Sequence, residues 1–119
     1  MKRILILLCA LSIAAAAFAQ KWAPVGENIK SPWAAEVNPA APLPEYPRPQ
    51  MVRTDWMNLN GLWNYAITEA SAQTFKADGK ILVPFAVESS LSGVGRKITK
   101  NDALWYERTF TLPRKWNGK

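Results

Sequence analysis

Nine carboxylates, six tryptophans and no histidine define the chemistry open to this sequence. Histidine is the usual general base, proton shuttle and transition-metal ligand near neutral pH, so its absence excludes Ser-His-Asp hydrolysis. The single cysteine, Cys9, sits in an apolar N-terminal run. Asp and Glu alone rarely hold zinc, so a zinc centre is excluded as well. Any site must be built from carboxylates, amides, hydroxyls and aromatic faces.

Such groups are concentrated in residues 85–102, where Glu88, Ser89, Ser90, Ser92, Gly93 and Gly95 form a polar, turn-prone stretch. Loops of this length without regular structure are often functional, which makes this the place to seek ligand contacts. Gly93-Val94-Gly95 is only a fragment of a dinucleotide fingerprint and lacks the helix that such a motif must open. No cofactor and no metal is expected. Arg96, Lys97 and Lys100 read as a solvated surface, and nucleic acid is not an expected partner. Trp22 and Trp33 read as anchors that pack their segment on a neighbouring surface, with stacking on a sugar as the alternative.

The elements that must position these groups begin with an export signal. Lys2 and Arg3 precede an apolar run over residues 4–17, and Ala17-Phe18-Ala19 before Gln20 has the small-residue pattern of a cleavage site. The run is shorter than the roughly 18 to 20 residues a bilayer core demands. Residues 1–19 are therefore expected to be a signal peptide cleaved after Ala19, leaving a periplasmic or secreted chain without a membrane anchor. Losing Lys2 and Arg3 lowers the net charge from +6 to +4, and losing Cys9 leaves no disulfide. A hydrophobic core, a bound ligand or the rest of a larger protein must then hold the fold.

Residues 20–45 form a Pro- and Ala-rich extended arm. Seven of the nine prolines fall in residues 20–49, which disfavours helix and central strand there. From Met51 onward the pattern is all-β: short aromatic and β-branched runs between turn signals. After Asn60-Gly61, Trp63, Tyr65 and Ile67 alternate with Leu62, Asn64 and Ala66. Asp78-Gly79 leads into Ile81-Leu82-Val83, stopped by Pro84. A third strand is expected over residues 104–112, with Leu104, Tyr106, Arg108, Phe110 and Leu112 on one face and Trp105, Glu107, Thr109 and Thr111 on the other.

Four separated segments carry a resemblance: Tyr46-Pro47-Arg48-Pro49-Gln50; Trp56-Met57-Asn58-Leu59-Asn60-Gly61-Leu62-Trp63; Val83-Pro84-Phe85 with Glu88-Ser89; and Leu104-Trp105-Tyr106 with Arg108 and Phe110. In their order and spacing they resemble the start of the N-terminal sugar-binding domain of glycoside hydrolase family 2, the group of β-galactosidases, β-glucuronidases and β-mannosidases. The resemblance spans about residues 46–118. It implies a jelly-roll β-sandwich like the galactose-binding domains, of which residues 46–119 supply only the front part, three strands of around eight.

In that family two glutamates on a downstream (β/α)₈ barrel hydrolyse O-glycosidic bonds with retention, which requires carboxyl groups about 5 to 5.5 Å apart. Neither Glu88 nor Glu107 is cast in that role, and this chain alone is not expected to be catalytic. In some family members the residues after the Val-Pro pair contact substrate through an asparagine; Ala86 stands at that place here. Glu88 and Ser89 are left as the candidate substrate-binding residues. The expected partners are a carbohydrate and the downstream domains of the parent enzyme. The alternative is a stand-alone exported carbohydrate-binding module or adhesion protein that binds glycan without cleaving it.

Overall fold

The computed structural model describes residues 22–27 and 30–118. The signal peptide read from residues 1–19 lies outside the described residues. The described chain is mostly β. Strands β1 (Gly61–Glu69), β2 (Gly79–Val83) and β3 (Asp102–Glu107) form one antiparallel sheet in the order β2-β1-β3. Short 3-10 turns at Pro32–Glu36, Pro49–Met51, Ser90–Ser92 and Arg114–Trp116 complete the regular structure among the described residues.

β1 is the central strand, paired along one edge with β2 and along the other with β3. Along one face Trp63 lies opposite Ile81, Tyr65 opposite Tyr106 and Ile67 opposite Leu104. Successive side chains of a strand point to opposite faces, so Leu62, Asn64, Ala66 and Thr68 occupy the other. There a polar ladder crosses all three strands: Lys80 Nζ donates to Asn64 Oδ1 at 2.6 Å, and Asn64 Nδ2 donates to Glu107 Oε2 at 2.8 Å. Trp105 stacks on Phe75 with ring centroids 5.2 Å apart and donates its indole N–H to Thr68 Oγ1. Asp78 takes over from β2 where that strand ends: its carboxylate accepts from Ile67 N at 2.9 Å.

The third strand is shorter than its alternating pattern predicts. It pairs with β1 only as far as Glu107, opposite Asn64. Arg108 then reaches back to the carbonyls of Leu59 and Asn60 instead of continuing the ladder. Phe110 and Leu112 consequently remain exposed. The loop of residues 85–102 is also more regular than expected, since it contains the turn Ser90–Ser92.

The arm divides in its behaviour. Trp22 packs as expected: its indole N–H donates to Leu91 O at 3.1 Å, and Val25 N donates to Ser90 O at 3.0 Å. Gly93 has φ +80°, and a Cβ there would lie 3.0 Å from the Trp22 ring, so backbone conformation and ring approach both require glycine. Trp33 does not anchor anything. It is 69% exposed, because the 3-10 turn Pro32–Glu36 that carries it buries none of its residues.

The buried apolar core consists of Ala66, Ile81, Leu82 and Val87. Burying a side chain the size of Ile81 or Leu82 stabilises by about 1.5–3 kcal/mol. Polar groups bind the adjoining loop. Ser92 is fully buried, with Oγ 2.7 Å from Ser89 O, to which it donates, while accepting from Val94 N and Gly95 N. Ser92→Ala in the full-length protein is expected to cost ~1–2 kcal/mol, because it removes the acceptor of those half-buried amides and the hydroxyl's own bond to Ser89 O. Hydrogen exchange should report the loss locally, with faster exchange at Val94 and Gly95 and little change at the β1 amides.

Candidate functional site

The segment Asn58-Leu59-Asn60-Gly61 is closed by a hydrogen bond from backbone to side chain, and its amides and carbonyls bond to distant parts of the chain. Asn58 Oδ1 accepts from Asn60 N at 2.7 Å, an Asx-type closure that Asn favours. Asn58 Nδ2 donates to Leu43 O at 2.9 Å, and Asn60 Nδ2 lies within 3.3 Å of both Pro42 O and Leu43 O. Leu59 O accepts from Trp63 Nε1 at 2.8 Å and from Arg108; Asn60 O accepts from Arg108 Nη1 at 2.8 Å. The guanidinium also stands 6.0 Å from the centre of the Trp63 ring. Gly61 has φ +133°, and a Cβ there would come within 3.1 Å of Arg108 Nη1. The turn thus joins the arm, the start of β1 and the chain leaving β3.

Leu43 is the non-glycine residue with positive φ among those described, at +46°. That conformation costs free energy for a branched side chain and is tolerated where surrounding structure over-determines it. Here the two amides gripping its carbonyl do so. The held segment forms one wall of a cavity of about 410 Å³, whose other walls come from Pro32–Glu36 and from Phe85 and Leu91.

A second concavity of about 320 Å³ lies on the aromatic face of the sheet, between Trp63, Tyr106 and the run from Val83 to Ala86. Trp63 and Tyr106 meet edge to face at 6.4 Å, a preferred aromatic geometry. The Val83–Pro84 peptide is cis. Ala86 brings only a methyl side chain to this hollow, and Tyr106 brings a phenol. Burial against the sheet, and then the negative charge of Glu88, raise the Tyr106 phenol above its ordinary pKa.

The two sequence candidates part company. Glu88 is exposed and close enough to Tyr106 for their charges to interact. Ser89 is occupied structurally: its Oγ accepts from Leu91 N at 3.2 Å and caps the Ser90–Ser92 turn. Arg96, Lys97 and Lys100 lie exposed around a shallow bowl and form no salt bridge among the described residues. Within that bowl Thr99 donates its hydroxyl and its amide to Asp102, which, with Arg96 nearby, holds the carboxyl below its ordinary pKa. Sequence reasoning missed Arg108 as the keystone of the turn. Its place in an alternating run gave no sign that the strand would end before it.

No family model matches this chain, and no curated protein matches it.

Two expectations follow. Arg108→Met should lower full-length stability by ~2 kcal/mol, since a cationic donor to backbone carbonyls is lost, and Asn58→Ala by ~1 kcal/mol; denaturant midpoints measure both. In an ultraviolet pH titration Tyr106 should ionise above an ordinary tyrosine, and Glu88→Gln should bring it part of the way back. A phenol whose pKa is raised by folding contributes stability below its ordinary value and loses it as pH climbs through the raised one.

Proposed function

We propose that this chain is the front part of the sugar-binding β-sandwich of an exported family 2 β-glycosidase, with residues 46–118 serving to fold that domain and seat it against a catalytic barrel. The observation that carries this reading is the convergence of the four resembling segments. Tyr46 meets Trp56 at 5.0 Å; Gly61 pairs with Val83; Arg108 caps Leu59 and Asn60; Trp63 meets Tyr106. Residues far apart in sequence are therefore each other's neighbours at one end of β1, as expected of a set with a joint structural role.

The uneven cover of the sheet supports the jelly-roll reading. Tyr106, Phe110 and Leu112 are exposed on or just beyond β3, and that strand's outer edge is unpaired among the described residues. An apolar sheet face is stable when packed on another layer, and a free edge when it is paired. A second sheet supplied by further strands would meet both needs. In this reading hydrolysis belongs to a carboxyl pair on the barrel, and Glu88 reaches toward the substrate side from the loop after Val83-Pro84.

The test is to express the complete gene product and assay aryl β-galactoside, β-glucuronide and β-mannoside, following the anomeric configuration of the released sugar by NMR. Hydrolysis of at least one with retention is expected. Glycan binding by a folded product that cleaves none of them would overturn the proposal in favour of a binding module.

A further inference from the structure

The cavity between the arm and the loop after β2 has no role in the function proposed above. We infer that it is a carbohydrate-binding subsite for an uncharged pyranose, with Trp33 as its stacking platform. The inference does not depend on a downstream barrel, since a binding module would carry the same cavity.

The chemistry of the walls defines the ligand. Trp33 is 69% exposed and lines the cavity with Phe85 and Leu91. An aromatic face exposed at an apolar hollow suits a ligand with a flat C–H surface. At 410 Å³ the cavity falls within the ~300–1,000 Å³ typical of small-molecule sites. In a 3-10 helix side chains at i and i+3 eclipse one another, so Glu36 stands on the same side of its turn as Trp33. Glu36 and Glu45 thus bring two carboxylate acceptors to the cavity, and no cationic side chain lines it. That pattern favours hydroxyl donors and repels uronic or sulfated sugars.

Asn38 separates a sugar from a cationic ligand such as a polyamine. Its Oδ1 accepts from Ala40 N at 3.0 Å, which leaves Nδ2 as the Asn38 group without a bond within the turn and free to donate to a ligand. A hydroxyl can accept that hydrogen bond while donating to a carboxylate, whereas an ammonium group has no lone pair to offer.

The experiment is fluorine NMR on the full-length protein labelled with fluorotryptophan, the Trp33 signal being assigned by its loss in Trp33→Phe. This reads the subsite alone, whatever other sugar site the protein has, and is independent of hydrolysis. Lactose is expected to shift the Trp33 signal saturably; methyl glucuronide is expected to shift it at least about tenfold less effectively, the equivalent of ~1.4 kcal/mol. The double variant Glu36→Gln with Glu45→Gln should narrow that gap by admitting the glucuronide. A Trp33 signal that lactose leaves unmoved overturns the inference. So does one that responds to spermidine but not lactose, or equally to lactose and methyl glucuronide in the unaltered protein.

Discussion

One guanidinium, that of Arg108, donates to the carbonyl oxygens of both Leu59 and Asn60, and the Trp63 indole N–H shares the first of them. Hydrogen bonds from a cationic donor are stronger than those between neutral groups, so the chain leaving β3 is held at this point. That constraint sets the length of β3 and leaves residues 109–112 outside the ladder. It also places the cation beside Trp63 and confines position 61 to glycine. On the other side of the turn, the amides of Asn58 and Asn60 hold the arm. A local Asx closure has become the junction of three parts of the molecule.

Legibility in the sequence followed the range of the interaction responsible. The alternation through β1 and the short apolar run of β2 are decided by neighbours, and the two strands begin directly after Asn60 and Asp78, although neither residue lies in a regular turn. The end of β3 was not legible. Arg108, Phe110 and Leu112 continue the period-two pattern, and what stops the strand lies 48 residues away in Asn60. Trp22 and Trp33 look alike in sequence, yet one finds the bare backbone of Gly93 to lie on and the other is left 69% exposed, lining the cavity. Ser89 shows the same limit for site residues: a serine in a polar loop suits ligand contact and turn capping equally, and the N–H of Leu91 decides it.

The two faces of the sheet are finished differently, and the described residues include no cysteine. Its polar face is self-sufficient, with Lys80, Asn64 and Glu107 bonded across three strands and Trp105 stacked on Phe75. Its aromatic face is covered at the β2 end by the loop and left open toward β3, where Tyr106 is 41% exposed. With neither a disulfide nor a broad core to stabilise the described residues, cohesion depends on hydrogen bonds such as those of the buried Ser92 hydroxyl and the half-buried Asn60 amide.

The clamp on the arm has one further property. Asn58 and Asn60 grip main-chain oxygens, those of Pro42 and Leu43, and ask nothing of the side chains on either side. Mutations along the exposed turn Pro32–Glu36 and its neighbours can therefore accumulate without loosening the anchorage. The molecule separates the fastening of the arm from the side chains that the arm displays, so what those side chains contact can change while the fold beneath stays the same.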